Sequence, residues 1–222
     1  MKSSQNQLQT VYNVLFAYFG PQGWWPSKTS DETIMGAILT QNVAWSNVEK
    51  ALVNLKDVGV FTLDDVLKKE TGVLADLILP ARFSKQKAVY LKEIALFFKE
   101  YHYDYQGLIE KYPLAELRKR ILDVKGVGNE TGDTILLYAL FLPSFVIDAY
   151  TKRIFSRLGL AESEKVTYHH LQEMFHSSLS QDTVLFNEYH ALIVRLAKDF
   201  CVKRNPICPS CPLNGICPKK IA

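Results

Sequence analysis

Gly126-Val127-Gly128 is the break that most constrains this chain. Before it, Leu117, Ile121 and Val124 recur at helical spacing. After it, Ile135, Leu136, Ala139 and Leu140 do the same. Two short apolar-faced runs joined by Gly-x-Gly predict a helical hairpin. Such a turn leaves backbone N–H groups at the start of the second helix without intrahelical partners. Those groups and the helix dipole favour an anion such as a phosphate oxygen. A glycine turn by itself joins many helices that bind nothing. Here Arg118, Lys119, Arg120 and Lys125 flank it, so the expectation moves toward a polyanion gripped by its backbone rather than read by its sequence.

A lone Asp148 comes next, between an apolar run and a helix with Lys152, Arg153 and Arg157. Aspartate is a good helix N-cap, and capping alone would account for it. A cap position also stabilises the ionised form. An ionised carboxylate is what a glycosidic reaction with an oxocarbenium-like transition state uses, by charge stabilisation or by orienting water.

All 4 cysteines lie between Cys201 and Cys217, in the order Cys201-x6-Cys208-x2-Cys211-x5-Cys217. A disulfide scaffold spreads its cysteines through the fold, so this clustering indicates a metal site. Zinc sites usually pair two Cys-x2-Cys knuckles. This chain has one knuckle with longer outer gaps, and Pro206, Pro209, Pro212 and Pro218 stiffen the wrapping. A larger cubane, a 4Fe–4S cluster, fits four such ligands better; zinc and free thiols are the alternatives. The wrapped loop would present Lys203, Arg204, Lys219 and Lys220.

The remaining chain reads as helices. Residues 8–19 carry Leu8, Val11, Leu15 and Phe19 on one face, and Gly20-Pro21 stops them. Trp24-Trp25-Pro26 follows in a loop, where two large aromatics serve either as a plug against the core or as part of a site. Thr29-x-x-Glu32 and Thr62-x-x-Asp65 are capping-box patterns, and Gln41 falls in a tight turn between two helices. Lys85 and Lys87 occupy the first turn of a helix opened by Ser84, where they oppose the dipole; an external anion would relieve them, but plain solvated lysines are the expectation. His190 lies on an apolar helix face and reads as a core residue rather than a ligand. No stretch sustains period-2 alternation, so the fold class is all-α. A length of 222 residues with 48% hydrophobic content supports a real core, and a net charge of +3 permits a polyanionic partner without requiring one. No run approaches membrane-span length, and no signal peptide is legible. A cytoplasmic, nucleoid-associated monomer is expected.

The hairpin, the downstream aspartate and the terminal cysteine spacing together resemble the endonuclease III superfamily of helix-hairpin-helix DNA glycosylases, over nearly the whole chain. The resemblance implies two helical domains with the DNA and base pocket between them. The first, 23–141, would carry the helix-hairpin-helix; the second would join 1–22 to 142–222 and hold the cluster. It also implies that Asp148 is the catalytic aspartate and that Gln41 fills the gap left by a flipped base. Lys125, Gly126, Val127 and Gly128 would grip double-stranded DNA, and Cys201, Cys208, Cys211 and Cys217 would hold a 4Fe–4S cluster.

One departure redirects the expected chemistry. Bifunctional members of that superfamily carry a lysine two residues after the second hairpin glycine, and it attacks the sugar. This chain has Gly128-Asn129-Glu130, and a carboxylate cannot form the imine. Glu130 in a first helical turn also simply complements the dipole. The GWWP segment, LTQN followed by Trp45, and KGVGNETGDTILLYA are most similar to the branch that removes 3-methyladenine. Trp24, Trp25, Trp45 and Glu130 would then form an aromatic, acidic-edged base pocket suited to a cationic alkylated purine. The alternatives are a glycosylase/lyase for oxidised pyrimidines, a thymine-mismatch glycosylase, and a DNA-binding protein whose cluster senses redox state.

Overall fold

The computed structural model describes residues 2–220, and among these the chain is helical without a strand. In order the helices are α1 (Lys2–Phe19), α2 (Ser30–Leu39), α3 (Trp45–Asp57), α4 (Leu63–Lys68), α5 (Thr71–Leu77), α6 (Ser84–Lys99), α7 (Tyr105–Lys111), α8 (Leu114–Leu122), α9 (Asn129–Thr134), α10 (Ala149–Arg157), α11 (Tyr168–Ser178) and α12 (Thr183–Asp199). α1 begins six residues before the apolar pattern does. Its first turns carry no apolar stripe, and helical backbone extends there from the packed part behind it.

The chain divides into two compact units, 27–142 and 1–26 with 143–222. In the unit 27–142, Ile34, Ile38 and Leu39 of α2, Leu52 and Leu55 of α3, Leu91, Ile94 and Phe98 of α6 and Leu117 and Ile121 of α8 form one buried core. The sequence signals place the helix starts. Thr29 accepts from the Glu32 N–H and caps α2. Thr62 and Asp65 close a reciprocal capping box at α4. Glu32 does not close the same box at α2, because its carboxylate is drawn across to Lys56 Nζ at 2.6 Å.

The unit 1–26 with 143–222 packs α1, α10, α11 and α12 around aromatic rings. Phe145 stacks on Phe175 with centroids 3.7 Å apart, and Phe155, Phe186 and Tyr189 close around them edge-on. Tyr189 donates its hydroxyl to the Leu8 carbonyl at 2.9 Å, which ties α1 to α12. The Gln22 N–H donates to Glu188 at 2.7 Å and fixes the loop leading to Trp24.

Candidate functional site

The hairpin forms as α8, a turn and α9. Gly126 has φ +89°, and a Cβ there would meet the Tyr90 ring at 2.2 Å, so both conformation and space demand glycine. Gly128 has ordinary extended backbone and nothing near its missing side chain. It caps α9 without a side chain and leaves that end exposed. α9 passes directly into a π-helical turn, Ile135–Ala139, where the apolar pattern alone predicts an uninterrupted helix. The Ser30 hydroxyl donates to the Ala139 carbonyl at 2.8 Å and satisfies one group at its end.

Two of the four flanking cations have structural employment. Arg118 makes a fork to buried Asp133, at 2.7 and 2.9 Å, and also reaches Asn129 Oδ1 at 3.2 Å. It clamps α8 to α9. Arg120 pairs with Glu116 and lies over the Tyr112 ring. Lys119 and Lys125 are the flanking cations without such a fork, and Lys125 is exposed at the turn.

Gln41 sits in the turn after α2 and reaches the hairpin. Its Nε2 donates to the Gly126 carbonyl at 2.9 Å and to Thr131 Oγ1 at 3.0 Å. Lys87 corrects the expectation of a solvated lysine. It is 2% exposed, and its ammonium donates to the carbonyls of Leu39, Gln41 and Ala81 at 2.7–2.8 Å. Burial pulls its pKa down to about 8, which leaves it charged at neutral pH. One cation thus fixes the end of α2, the Gln41 turn and the segment before α6. Gln41, Asn42, Phe83, Lys87, Tyr90 and Gly126–Gly128 line a cleft of about 480 Å³. Lys87→Met should leave three carbonyls without their donor and lower stability by about 2–4 kcal/mol. A thermal midpoint lower by roughly 5–15 °C is expected in calorimetry; an unchanged midpoint would show that water replaces the ammonium without loss.

Asp148 is the N-cap of α10. Its Oδ1 accepts from the Thr151 N–H at 2.7 Å and the Thr151 hydroxyl at 2.8 Å. Its Oδ2 lies 3.7 Å from His190 Nε2 on α12, and 13% of the side chain is exposed. Burial works against the charge, but His190 and then the Thr151 bonds outweigh it and hold the carboxyl below the usual carboxylate range. The His190 contact is invisible to local pattern, since it joins residues 42 apart in sequence.

The aromatic and acidic residues expected to line a base pocket divide between the two units. Trp24 and Trp25 belong to the unit with Asp148; Trp45 and Glu130 belong to the unit with the hairpin. Trp24 meets Trp25 edge-on at 5.6 Å, and Lys198 Nζ lies over the Trp24 ring at 5.8 Å. Trp45 opens α3, half-buried against its core. Glu130 is exposed in the first turn of α9.

The four cysteines line one narrow cavity together with Arg157, Phe200 and Pro206. Among the described residues no three His, Cys, Asp or Glu side chains converge on a single metal ion. Four cysteine thiols lining one cavity are a donor set of the soft, sulfur-rich kind that holds a metal centre. Burial pushes up the Cys211 and Cys217 thiols, and their cysteine neighbours add to this. Arg153 and Arg157, two of the three cations of the expected basic helix α10, are buried instead. Arg153 Nε donates to the Cys201 carbonyl at 2.9 Å. Arg157 donates to the carbonyls of Val202 at 2.8 Å and Lys203 at 3.0 Å, and approaches Cys201 Sγ at 3.4 Å. The helix capped by Asp148 is thereby stitched to the cysteine loop.

Comparison with known proteins agrees with this geometry. Residues 35–177 match the HhH-GPD superfamily of base excision DNA repair proteins. A Methanocaldococcus jannaschii protein, provisionally designated a DNA repair glycosylase, is 43% identical over 212 residues, covering 95% of each chain. The crystal structure of H. pylori 3-methyladenine DNA glycosylase bound to 1,N6-ethenoadenine superposes with a TM-score of 0.73 at 26% identity, covering 88% of this chain and 97% of that one. A non-covalent endonuclease III–DNA complex shares the fold, with a TM-score of 0.80 at 18% identity over 97% and 95% of the two chains. A hairpin with an open helix end, a cleft beside it and a match along almost the whole length leave one assignment: the chain belongs to the HhH-GPD superfamily of base excision repair proteins, and is a DNA N-glycosylase.

Proposed function

We propose that this glycosylase removes an alkylated purine of the 3-methyladenine kind from double-stranded DNA by hydrolysis, without a lyase step. The observation that carries this reading is Glu130, which stands exposed in the first turn of α9 where bifunctional relatives would need an amine. The likeness to a 3-methyladenine glycosylase supports the substrate class. Trp24, Trp25 and Trp45 supply the residue type that best attracts a cationic base.

Asp148 is the catalytic carboxylate in this mechanism. The C1′–N bond breaks, its electron pair leaves with the base, and positive charge develops on the sugar opposite an ionised Asp148. A water oxygen then bonds C1′ and gives up its proton to the carboxylate or solvent. An alkylated purine carries positive charge before cleavage and departs neutral, so its departure needs no general acid. The N–H groups at Gly126–Gly128 and Lys125 hold backbone phosphate. Gln41 takes the gap left by the extruded base, for which its two bonds to Gly126 and Thr131 must be released.

The cavity lined by Cys201, Cys208, Cys211 and Cys217 holds a 4Fe–4S cluster on this reading. When bound, the cluster supplies cationic charge and four covalent ties to the loop; the excision chemistry belongs to Asp148. Base release from duplexes bearing 3-methyladenine, thymine glycol or a G·T mismatch tests the substrate class. Free 3-methyladenine should appear first, and preferential release of thymine glycol or thymine would refute it. Borohydride should trap little enzyme–DNA adduct, and strand breaks should require added alkali. Efficient trapping would reveal an amine at work, with Lys125 the first to examine.

A further inference from the structure

Asp148 engages its own helix through one oxygen. Oδ1 takes both capping bonds from Thr151, and Oδ2 is turned toward α12. His190 Nε2 lies 3.7 Å from it there, on a side chain only 7% exposed. The ring has Phe145 edge-on at 6.5 Å, and its sequence neighbours Tyr189 and Ala191 are buried as well. Leucine or phenylalanine would fill such a place without desolvating a polar ring. What the imidazole adds is a polar nitrogen facing the second oxygen of the one carboxylate that the excision step uses.

We propose that His190 is a positioning residue for the reaction, holding Asp148 Oδ2 in the orientation the excision step requires. The inference rests on the reading of Asp148 as the catalytic carboxylate. A carboxylate bound through one oxygen is free to pivot, and a donor on the other oxygen removes that freedom. At 3.7 Å the contact is electrostatic, and a movement of less than about 1 Å by either side chain makes it a hydrogen bond. An Nε2–H is present both in the imidazolium and in one neutral tautomer, so positioning needs no net charge on the ring. The same facing nitrogen favours the ionised carboxylate, as the lowered pKa of Asp148 reflects.

The test compares His190→Leu, His190→Gln, Asp148→Asn and the Asp148→Asn/His190→Leu double variant in the full-length protein. Single-turnover excision, affinity for a duplex with a stable abasic analogue, and thermal midpoint are measured for each. His190→Leu fills the volume but offers no donor, and its excision should fall about ten- to a hundred-fold, the scale of misplacing a reacting group. Its affinity for the abasic duplex should stay within about two-fold. His190→Gln restores an N–H donor and should recover most of the lost rate. In the Asp148→Asn background, His190→Leu should cost nothing further.

Wild-type excision by His190→Leu overturns the proposal, as does failure of glutamine to outperform leucine. A parallel loss of rate and affinity shows a merely structural histidine and overturns it too. Near wild-type excision by Asp148→Asn is a different failure. It removes the reading of Asp148 itself, and the inference falls with it.

Discussion

Asp148→Asn should lower single-turnover excision by about two orders of magnitude or more, the loss seen when one preorganised electrostatic group is removed. Capping and catalysis make opposite forecasts for this substitution. Asparagine is also a good N-cap, so its side-chain oxygen can still accept from the Thr151 N–H, and the helix start should survive. The cost in stability should be small, whereas the charge opposite the developing oxocarbenium ion is gone. Affinity for damaged duplex should hold or rise slightly, because a negative group near phosphates has been removed. Excision and binding measured on the same duplex decide the matter. An Asp148→Asn enzyme that excises at the wild-type rate would reduce the carboxylate to a cap.

Cys208→Ser should strip the metal centre and with it the order of the C-terminal loop. The wild-type protein, purified anaerobically, should be brown and contain about four irons per chain. The variant should be colourless, iron-poor and readily cleaved by protease between Cys201 and Cys217. The loss should spread beyond the loop, since Arg153 and Arg157 hold its carbonyls from within α10. DNA affinity should therefore fall along with the metal. One zinc per colourless wild-type chain would replace the cluster with a different site.

The distinction between local and distant partners separates what could be read beforehand from what could not. The helical class follows from apolar spacing at period 3.6. The starts of α2, α4 and α10 follow from Thr29, Thr62 and Asp148, whose capping bonds reach only three residues ahead. Gly126 belongs to the same class, because a reversal with positive φ is a property of the backbone at that point. The superfamily was legible for a related reason: hairpin, aspartate and cysteine spacing are each written in consecutive residues.

The uses of several charged side chains were decided by the tertiary structure. By spacing, Lys87 looked like a solvated lysine, Arg118 and Arg120 like phosphate ligands, and Arg153 and Arg157 like a basic face. Lys87 instead meets carbonyls near residues 39–41, and Arg153 and Arg157 meet the loop after Cys201, partners more than forty residues away. His190 was legible as a core residue, but the nearness of Asp148 Oδ2 was not. A sequence pattern shows which face of a helix turns inward. It does not show which buried carbonyl or carboxylate waits there, because that depends on which other helix packs against it. Burial makes an unmatched charge costly, so the packing of distant helices determined what Lys87, Arg153, Arg157 and His190 could do.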